Sequence, residues 1–271
     1  MPNKARSVSQ TSDNHRPLAG ASVVVTRPSA SAAATKANIR ALGGIALALP
    51  GITLRGALDP ASVKAELAAA RDSDVVIFVS PAAVKYAFAI QPKLRFIRTA
   101  VIAAMGAATA RALQRKGFKQ VIWPLASQTS EGLLAAPEMQ KLRGKRVTLI
   151  GAPGGRDLLA QTLKQRKARV QHILVYRRLP PRFSKAQLAA LEAAQTPLIT
   201  LLTSQEILDN LRSELPLSLF GKLAEGDLVV SSLRLALAAR ASLFGAVHIA
   251  ASPSPRDLVR AACGALAQHR L

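Results

Sequence analysis

Residues 74–88 read DVVIFVSPAAVKYAF, and residues 197–211 read PLITLLTSQEILDNL. Each opens with a short apolar, β-branched run, reaches a serine, and passes into a stretch whose apolar residues recur at helical spacing. Each therefore reads as a strand, a turn and a helix, with Ser80 and Ser204 at the turns. The two serines stand 124 residues apart (204 − 80). AVIAAMGAATARAL set against DLVVSSLRLALAA places Gly106 opposite Ser231, at 125. SVVVTRPSASAAATKANIRALGG set against RVTLIGAPGGRDLLAQTLKQRKAR places Gly43 opposite Ala168, again at 125, and PLASQTSEGLL set against IAASPSPRDLV places Ser127 opposite Ser252 at the same distance. One such pair is ordinary in an αβ chain, but four in one register point to an internal duplication.

Outward from these stretches, further strands are expected at SVVVT (from Ser22), IALALPGITL (from Ile45), AVIAAM (from Ala100), QVIW (from Gln120) and RVTLI (from Arg146). ARVQHILVYR (from Ala168), DLVVS (from Asp227) and AVHIA (from Ala246) complete the set. Strands alternating with Ala/Leu-rich helical stretches give an α/β class with parallel sheets. About ten strands exceed one small sheet. The polar start, Met1 to Pro17, reads as a disordered tail without the apolar core of a secretory signal.

Composition narrows the function. Lys and Arg number 37 against 15 Asp and Glu, a formal +22, although charged residues make up only 19% of the chain. A polyanionic partner follows, whether nucleic acid, an anionic membrane or a small polycarboxylate or phosphate. Aromatic residues are 4% and the basic residues are dispersed along the chain, which argues against a nucleic-acid binder. No run of 18 apolar residues exists, so no membrane span is expected, and a soluble cytoplasmic protein is. The single cysteine, Cys263, excludes an internal disulfide or a Cys-rich zinc site, and the four histidines show no HExxH or i,i+4 pair. No metal or cofactor is expected.

The polar residues gather where strands end and helices begin, the edge at which open α/β sheets place ligands. Thr26-Arg27-Pro28, Ser80-Pro81, Gly106 to Thr109, Gly151 to Arg156 and Thr203-Ser204 all fall there. Free N–H groups at helix starts make such edges receptive to anions, while each residue taken singly also serves as an ordinary cap or turn former. GAPGGRDLL, Gly151 to Leu159, is neither GxGxxG nor a Walker motif, so a nucleotide is not expected. Its Gly154 and Gly155 would let backbone amides approach a carboxylate, and Arg156 would add a forked donor or stand solvated in a first helical turn. Tyr176, in ILVYRRLPP, lies near an inter-domain connection, where it serves packing or catalysis.

VVVTRP, RALGG, DVVIFVSPAAVKYAF, MGAATARAL, TSEGLL, GKRVTLIGAPGGRDLLAQTLKQRKARV and VYRR, in this order from about Leu18, resemble the uroporphyrinogen-III synthase family. The resemblance implies an enzyme, a lyase of haem biosynthesis, that cyclises the linear tetrapyrrole hydroxymethylbilane with loss of water and inversion of its last ring. It implies Tyr176 as the catalytic residue assisting departure of the hydroxyl. It implies substrate contacts at Ser80, Thr109, Thr203 and Ser204 and makes Arg27 a carboxylate or structural ion partner, while Gly106, Gly154, Gly155 and Arg156 stay candidates from the turns themselves. The chain departs from the family pattern at Val79, where a hydroxyl is usual, at Gln205, where proline is usual, and at Ser231 to Arg234. At that last turn the family's GxxTA is absent: Ser231 and Ser232 stand in its place, and Arg234 falls where the threonine would, able to serve a carboxylate instead.

The implied fold has two α/β domains joined by a two-stranded connector made of LPGITLRG and VYRRLPP, with a cleft between them. One domain would run from residue 18 to 51 and from 180 to 271, the other from 53 to 179. The partner would be hydroxymethylbilane alone, with no membrane, no nucleic acid and a monomeric enzyme. A non-catalytic two-domain protein holding a small polyanion would share the charge and the cleft. A nucleic-acid-binding protein would use the charge directly.

Overall fold

In the computed structural model of the chain, residues 16–124, 130–154, 157–240, 244 and 246–269 are described. Gly155, Arg156, Ser127 and most of the expected N-terminal tail lie outside them. The chain begins with β1 (Ser22–Val25), α1 (Ser29–Ala41), β2 (Ile45–Ala48), β3 (Thr53–Gly56) and α2 (Pro60–Ala69). It continues through β4 (Val75–Phe78), α3 (Pro81–Ile90), β5 (Val101–Ala104), α4 (Ala107–Gln114) and α5 (Ser130–Leu134). Next come β6 (Arg146–Gly151), α6 (Asp157–Gln165), β7 (Arg169–Leu174), β8 (Tyr176–Leu179) and α7 (Lys185–Glu192). It ends with β9 (Leu198–Leu202), α8 (Gln205–Glu214), α9 (Leu217–Glu225), β10 (Asp227–Val230), α10 (Leu233–Arg240), β11 (Val247–Ile249) and α11 (Pro255–Gln268).

Two compact units result. One runs to Thr53 and resumes from Leu179 to Leu271; the other is Leu54–Arg178. The first unit holds a parallel sheet in the order β11-β10-β9-β1-β2, the second a parallel sheet in the order β5-β4-β6-β7. β3 and β8 pair as a separate two-stranded sheet, and the chain passes from one unit to the other within these two strands.

The duplication is visible in the registers. β1 sets Ser22 against Ile45 of β2, and β6 sets Arg146 against Arg169 of β7, an offset of 124 for both members (146 − 22 and 169 − 45). β9 and β10 then correspond to β4 and β5. The central strands are buried on both faces because helices cover both sides of a parallel sheet. In β4, Val76 and Phe78 join one apolar cluster while Val75 and Ile77 join another, as strand alternation requires. The edge strands β2 and β7 are more exposed.

Three expected strands come out differently. IALALPGITL is two strands, because Pro50 carries no N–H and the chain bends through Leu49–Ile52 before β3. ARVQHILVYR also divides: Val175 donates its N–H to Gly151 O at 2.9 Å, closing β7, and β8 begins at Tyr176. QVIW adds only an isolated parallel bridge between Ile122 and Ala103, since Pro124 has no donor to extend it. Among the described residues no helix is long and apolar enough to cross a membrane.

Candidate active site

At the C-terminal end of β4, Ser80 takes an extended conformation and its Oγ accepts the N–H of Ala83 at 3.0 Å, capping α3. The same Oγ lies 3.1 Å from the hydroxyl of Tyr176, 96 residues away. Tyr176 opens β8, is 6% exposed as a residue, and belongs to the apolar cluster that contains Phe78, Ala83 and Val84. The Tyr86 ring of α3 stacks on it, with centroids 5.5 Å apart and planes 16° from parallel. The Tyr86 hydroxyl donates to Leu54 O at 3.0 Å, in the strand that pairs with β8. Tyr86 thus holds both the ring of Tyr176 and the backbone beside it. Arg177 Nε donates to Gly56 O at 3.2 Å, a second tie within the same ladder.

Beyond β6 the chain enters the glycine-rich turn. Gly154 has φ +73°, which favours glycine, and a Cβ there would stand 3.3 Å from Arg178 Nη2. That guanidinium donates to Pro153 O at 3.0 Å, so Arg178 lies directly against the turn. A Cβ on Gly151 would meet a Val79 methyl at 2.5 Å. The position where the family pattern carries a hydroxyl is therefore an apolar contact in this chain. Gly106 caps α4 through its backbone, and its carbonyl accepts the N–H of Thr109 at 3.0 Å. Thr109 itself is buried.

The first unit gathers its polar groups at the corresponding edge. Thr26 Oγ1 donates to Leu201 O at 2.6 Å, a buried tie from the end of β1 to β9. Arg27 Nη1 donates to Pro253 O at 2.9 Å, and burial lowers the pKa of this guanidinium. Ser204 Oγ accepts the N–H of Ile207 at 3.3 Å, capping α8. Ser231 Oγ donates to Thr203 O at 3.4 Å, so these two expected residues meet. Ser232 Oγ accepts the N–H of Leu235 at 3.4 Å, and Arg234 is exposed in the first turn of α10. Ser252 and Ser254 both donate to Asp257 Oδ2, at 2.5 and 2.9 Å. These bonds, Ser252 first, hold the carboxyl below its ordinary range.

Tyr86 and Arg178 are site neighbours that motif reading does not single out. One signal was present: the chain has two tyrosines, and they stack on each other. Among the described residues no cluster of His, Cys, Asp and Glu is placed to hold a metal ion.

Fold and site together define a duplicated α/β protein that presents hydroxyls, backbone N–H groups and arginines at the C-terminal ends of parallel strands, a class suited to an anionic small molecule. The family model described as uroporphyrinogen-III synthase HemD matches residues 33–260. Uroporphyrinogen-III synthase of Escherichia coli K12 is 31% identical over 197 residues, covering 72% of this chain and 80% of that protein. The Salmonella typhimurium enzyme of the same name is 33% identical over 199 residues with the same coverage. Among solved structures, a mutant uroporphyrinogen III synthase of the extremely thermophilic bacterium Thermus thermophilus aligns with a TM-score of 0.58 at 20% identity, covering 92% of this chain and all of that one. The Helicobacter pylori 26695 synthetase aligns at 0.56 with 15% identity, covering 91% and 99%. These two likenesses concern the fold. The chain belongs to the uroporphyrinogen-III synthase family.

Proposed function

We propose that the protein is a uroporphyrinogen-III synthase, a lyase that converts hydroxymethylbilane to uroporphyrinogen III with loss of water. The family match over residues 33–260 carries this reading. The reaction has a competitor: the linear tetrapyrrole closes unaided to the type I isomer. The enzyme's work is therefore mainly positional, holding the chain so that the substituted carbon of the last ring attacks and that ring is inverted.

In this reading Tyr176 donates a proton to the departing hydroxyl, which leaves as water. Ser80, 3.1 Å from the phenol, orients it, and the proton released when the ring system recloses restores the phenol. The electrophile left on the terminal carbon is attacked by the last ring to give a spiro intermediate, which fragments, recloses and loses a proton. Arg27, Arg156, Arg234 and the backbone around Gly106, Gly154 and Gly155 hold substrate carboxylates, with Thr109, Thr203, Ser204 and Ser231 as further hydrogen-bonding positions. The enzyme acts as a cytoplasmic monomer and uses no metal or cofactor.

The test supplies hydroxymethylbilane to the purified protein in the presence of a chelator and separates the isomers. Type III product well above the no-enzyme control is expected. Type I alone, or activity abolished by chelation, overturns the reading.

A further inference from the structure

The two units are copies of one architecture, so each is a control for the other's charge. Leu54–Arg178 contains 22 Lys and Arg against 7 Asp and Glu, a net +15, while the rest of the chain contains 15 against 8, a net +7. Eight of the 22 fall in two stretches without an acid, KLRGKR at 141–146 and KQRKAR at 164–169. The stretches lead into β6 and β7, which are neighbours, and Arg146 stands in register with Arg169. Two backbone bonds clip the turns together, Gly144 N–H to Lys167 O at 2.9 Å and Arg169 N–H to Lys145 O at 2.8 Å. Cations that are dispersed in the sequence therefore form one patch. It lies at the N-terminal edge of the sheet, the length of β6, about 17 Å, from the edge that carries Ser80 and Gly154.

Three of the eight have local work. Lys145 pairs with Asp74 at 3.1 Å, Arg166 Nη1 donates to Leu134 O and Met139 O, and Lys164 sits in the last turn of α6 where a helix favours a cation. The corresponding turn of α1 carries Arg40, at the position 124 residues earlier, for the same reason. Lys141, Arg143, Arg146, Lys167 and Arg169 remain, all exposed and none within ion-pair distance of a carboxylate among the described residues, although Arg146 lies near enough to Asp74 to act on its charge. The equivalent stretches of the first unit, PLAGAS at 17–22 and RALGGI at 40–45, build the same strand pair in the same register with Arg40 as their one cation. Neither the fold nor the register requires the other cations, and like charges on facing strand positions destabilise the pair.

We propose that this edge of Leu54–Arg178 docks the phosphodiester backbone of a nucleic acid without reading its sequence. The leucines beside the cations in the sequence, Leu142 and Leu163, are buried, and Ala168 and Val170 on either side of Arg169 are half-buried, so the patch presents no large exposed apolar side chain to insert into a bilayer. No aromatic lies in either stretch, which leaves neither a protein–protein anchor nor a stacking platform for bases. Contact with phosphates alone fits five exposed cations carried on one clipped pair of turns.

The test titrates the full-length protein against a labelled 20-nucleotide RNA and a 20-base-pair DNA duplex across a range of salt. Five phosphate contacts give a log–log slope of roughly −4.5 on the duplex. Replacing Arg143, Arg146, Lys167 and Arg169 with glutamine together should reduce that slope by roughly 3.6 and weaken binding at low salt at least 100-fold, with catalytic turnover retained. Replacing the exposed Arg182, Lys185, Arg212 and Arg240 of the other unit should change both far less. Equal effects of the two sets, no binding by the parent protein, or patch-dependent binding to phosphatidylserine vesicles in place of nucleic acid each overturn the proposal. If the fourfold variant does not fold, hydrogen exchange on the parent protein decides. Protection by RNA confined to 141–146 and 164–169 supports the proposal, and protection elsewhere overturns it.

Discussion

Ser80 opens α3 and Ser204 opens α8 with nearly the same backbone, φ/ψ of −163°/162° and −156°/153°, and each accepts the N–H three residues on. Their surroundings differ. The residues of α8 at the positions of Ala83 and Tyr86, 124 further on, are Ile207 and Asn210. Asn210 Nδ2 donates to Gly51 O at 2.8 Å, as the Tyr86 hydroxyl donates to Leu54 O at 3.0 Å. A Cβ on Gly51 would meet Ile207 at 2.6 Å, so isoleucine closes on bare backbone there. In the other unit Ala83 is fully buried and a tyrosine ring fills the neighbouring space. Both copies keep the cap, because a helix start needs an acceptor whatever its function. The paired hydroxyls belong to the copy with the smaller residue on its helix.

The comparison breaks first at the level of whole units. A fragment Leu54–Arg178 should unfold in one cooperative transition, whereas cutting the chain at Gly144 parts β4 from β6 and should leave neither half folded. Calorimetry on the purified pieces checks this, and two stable halves divided at Gly144 would refute the layout.

Next comes the tyrosine pair. Tyr176→Phe keeps the ring stacked on Tyr86 and removes the hydroxyl, so turnover should fall roughly 10- to 100-fold with thermal stability nearly unchanged. Full activity, or loss of activity together with the folding transition, would make Tyr176 a packing residue.

The two caps sharpen the contrast. Ser80→Ala and Ser204→Ala should each cost about 1 kcal/mol of stability, since each leaves one helix N–H without its acceptor. Ser80→Ala should also slow turnover several-fold through Tyr176, and Ser204→Ala much less. Equal kinetic effects would mean that the hydroxyl pair has no special part.

The smallest effect is a pH dependence with one carboxylate in each unit. The backbone N–H of Arg146, then Lys145, hold Asp74 below the ordinary carboxyl value, as Ser252 and Ser254 do for Asp257. A depressed folded pKa stabilises above the ordinary value and is lost as pH falls through the folded one. The melting temperature of the parent protein should therefore exceed that of Asp74→Asn or Asp257→Asn by a margin that shrinks below about pH 4. A margin constant from pH 6 to pH 2.5 would contradict it.

The strands were legible wherever burial on both faces wrote a continuous apolar run, as in VVIF of β4 and LITLL of β9. They were overextended where a run crosses a bend: periodicity does not register the missing donor of Pro50 or the turn of Val175 back to Gly151. Ser80 and Tyr176 were each legible through the motif around them. Their 3.1 Å contact was not, because 96 residues separate them and only the folded sheet brings them together. Tyr86 was hidden by its helix, since an aromatic among alanines at helical spacing reads as core. The basic patch escaped for the opposite reason, because its two halves are local in space and about twenty residues apart in the sequence.

The pairing of β1 with β9, Ser22 against Leu198, sets the order in which the nascent chain can finish its work. At roughly 5–20 residues per second, the ribosome needs about 10 to 35 seconds to travel from β1 to β9. Leu54–Arg178 is synthesised in full within that interval, while Val23, Val24 and Val25, fully buried in the finished sheet, wait with β2 as their one strand neighbour. The inserted unit has all its strands before the outer sheet has β9 and β10, so the apolar face of β1 is the part of the finished core whose partners arrive last.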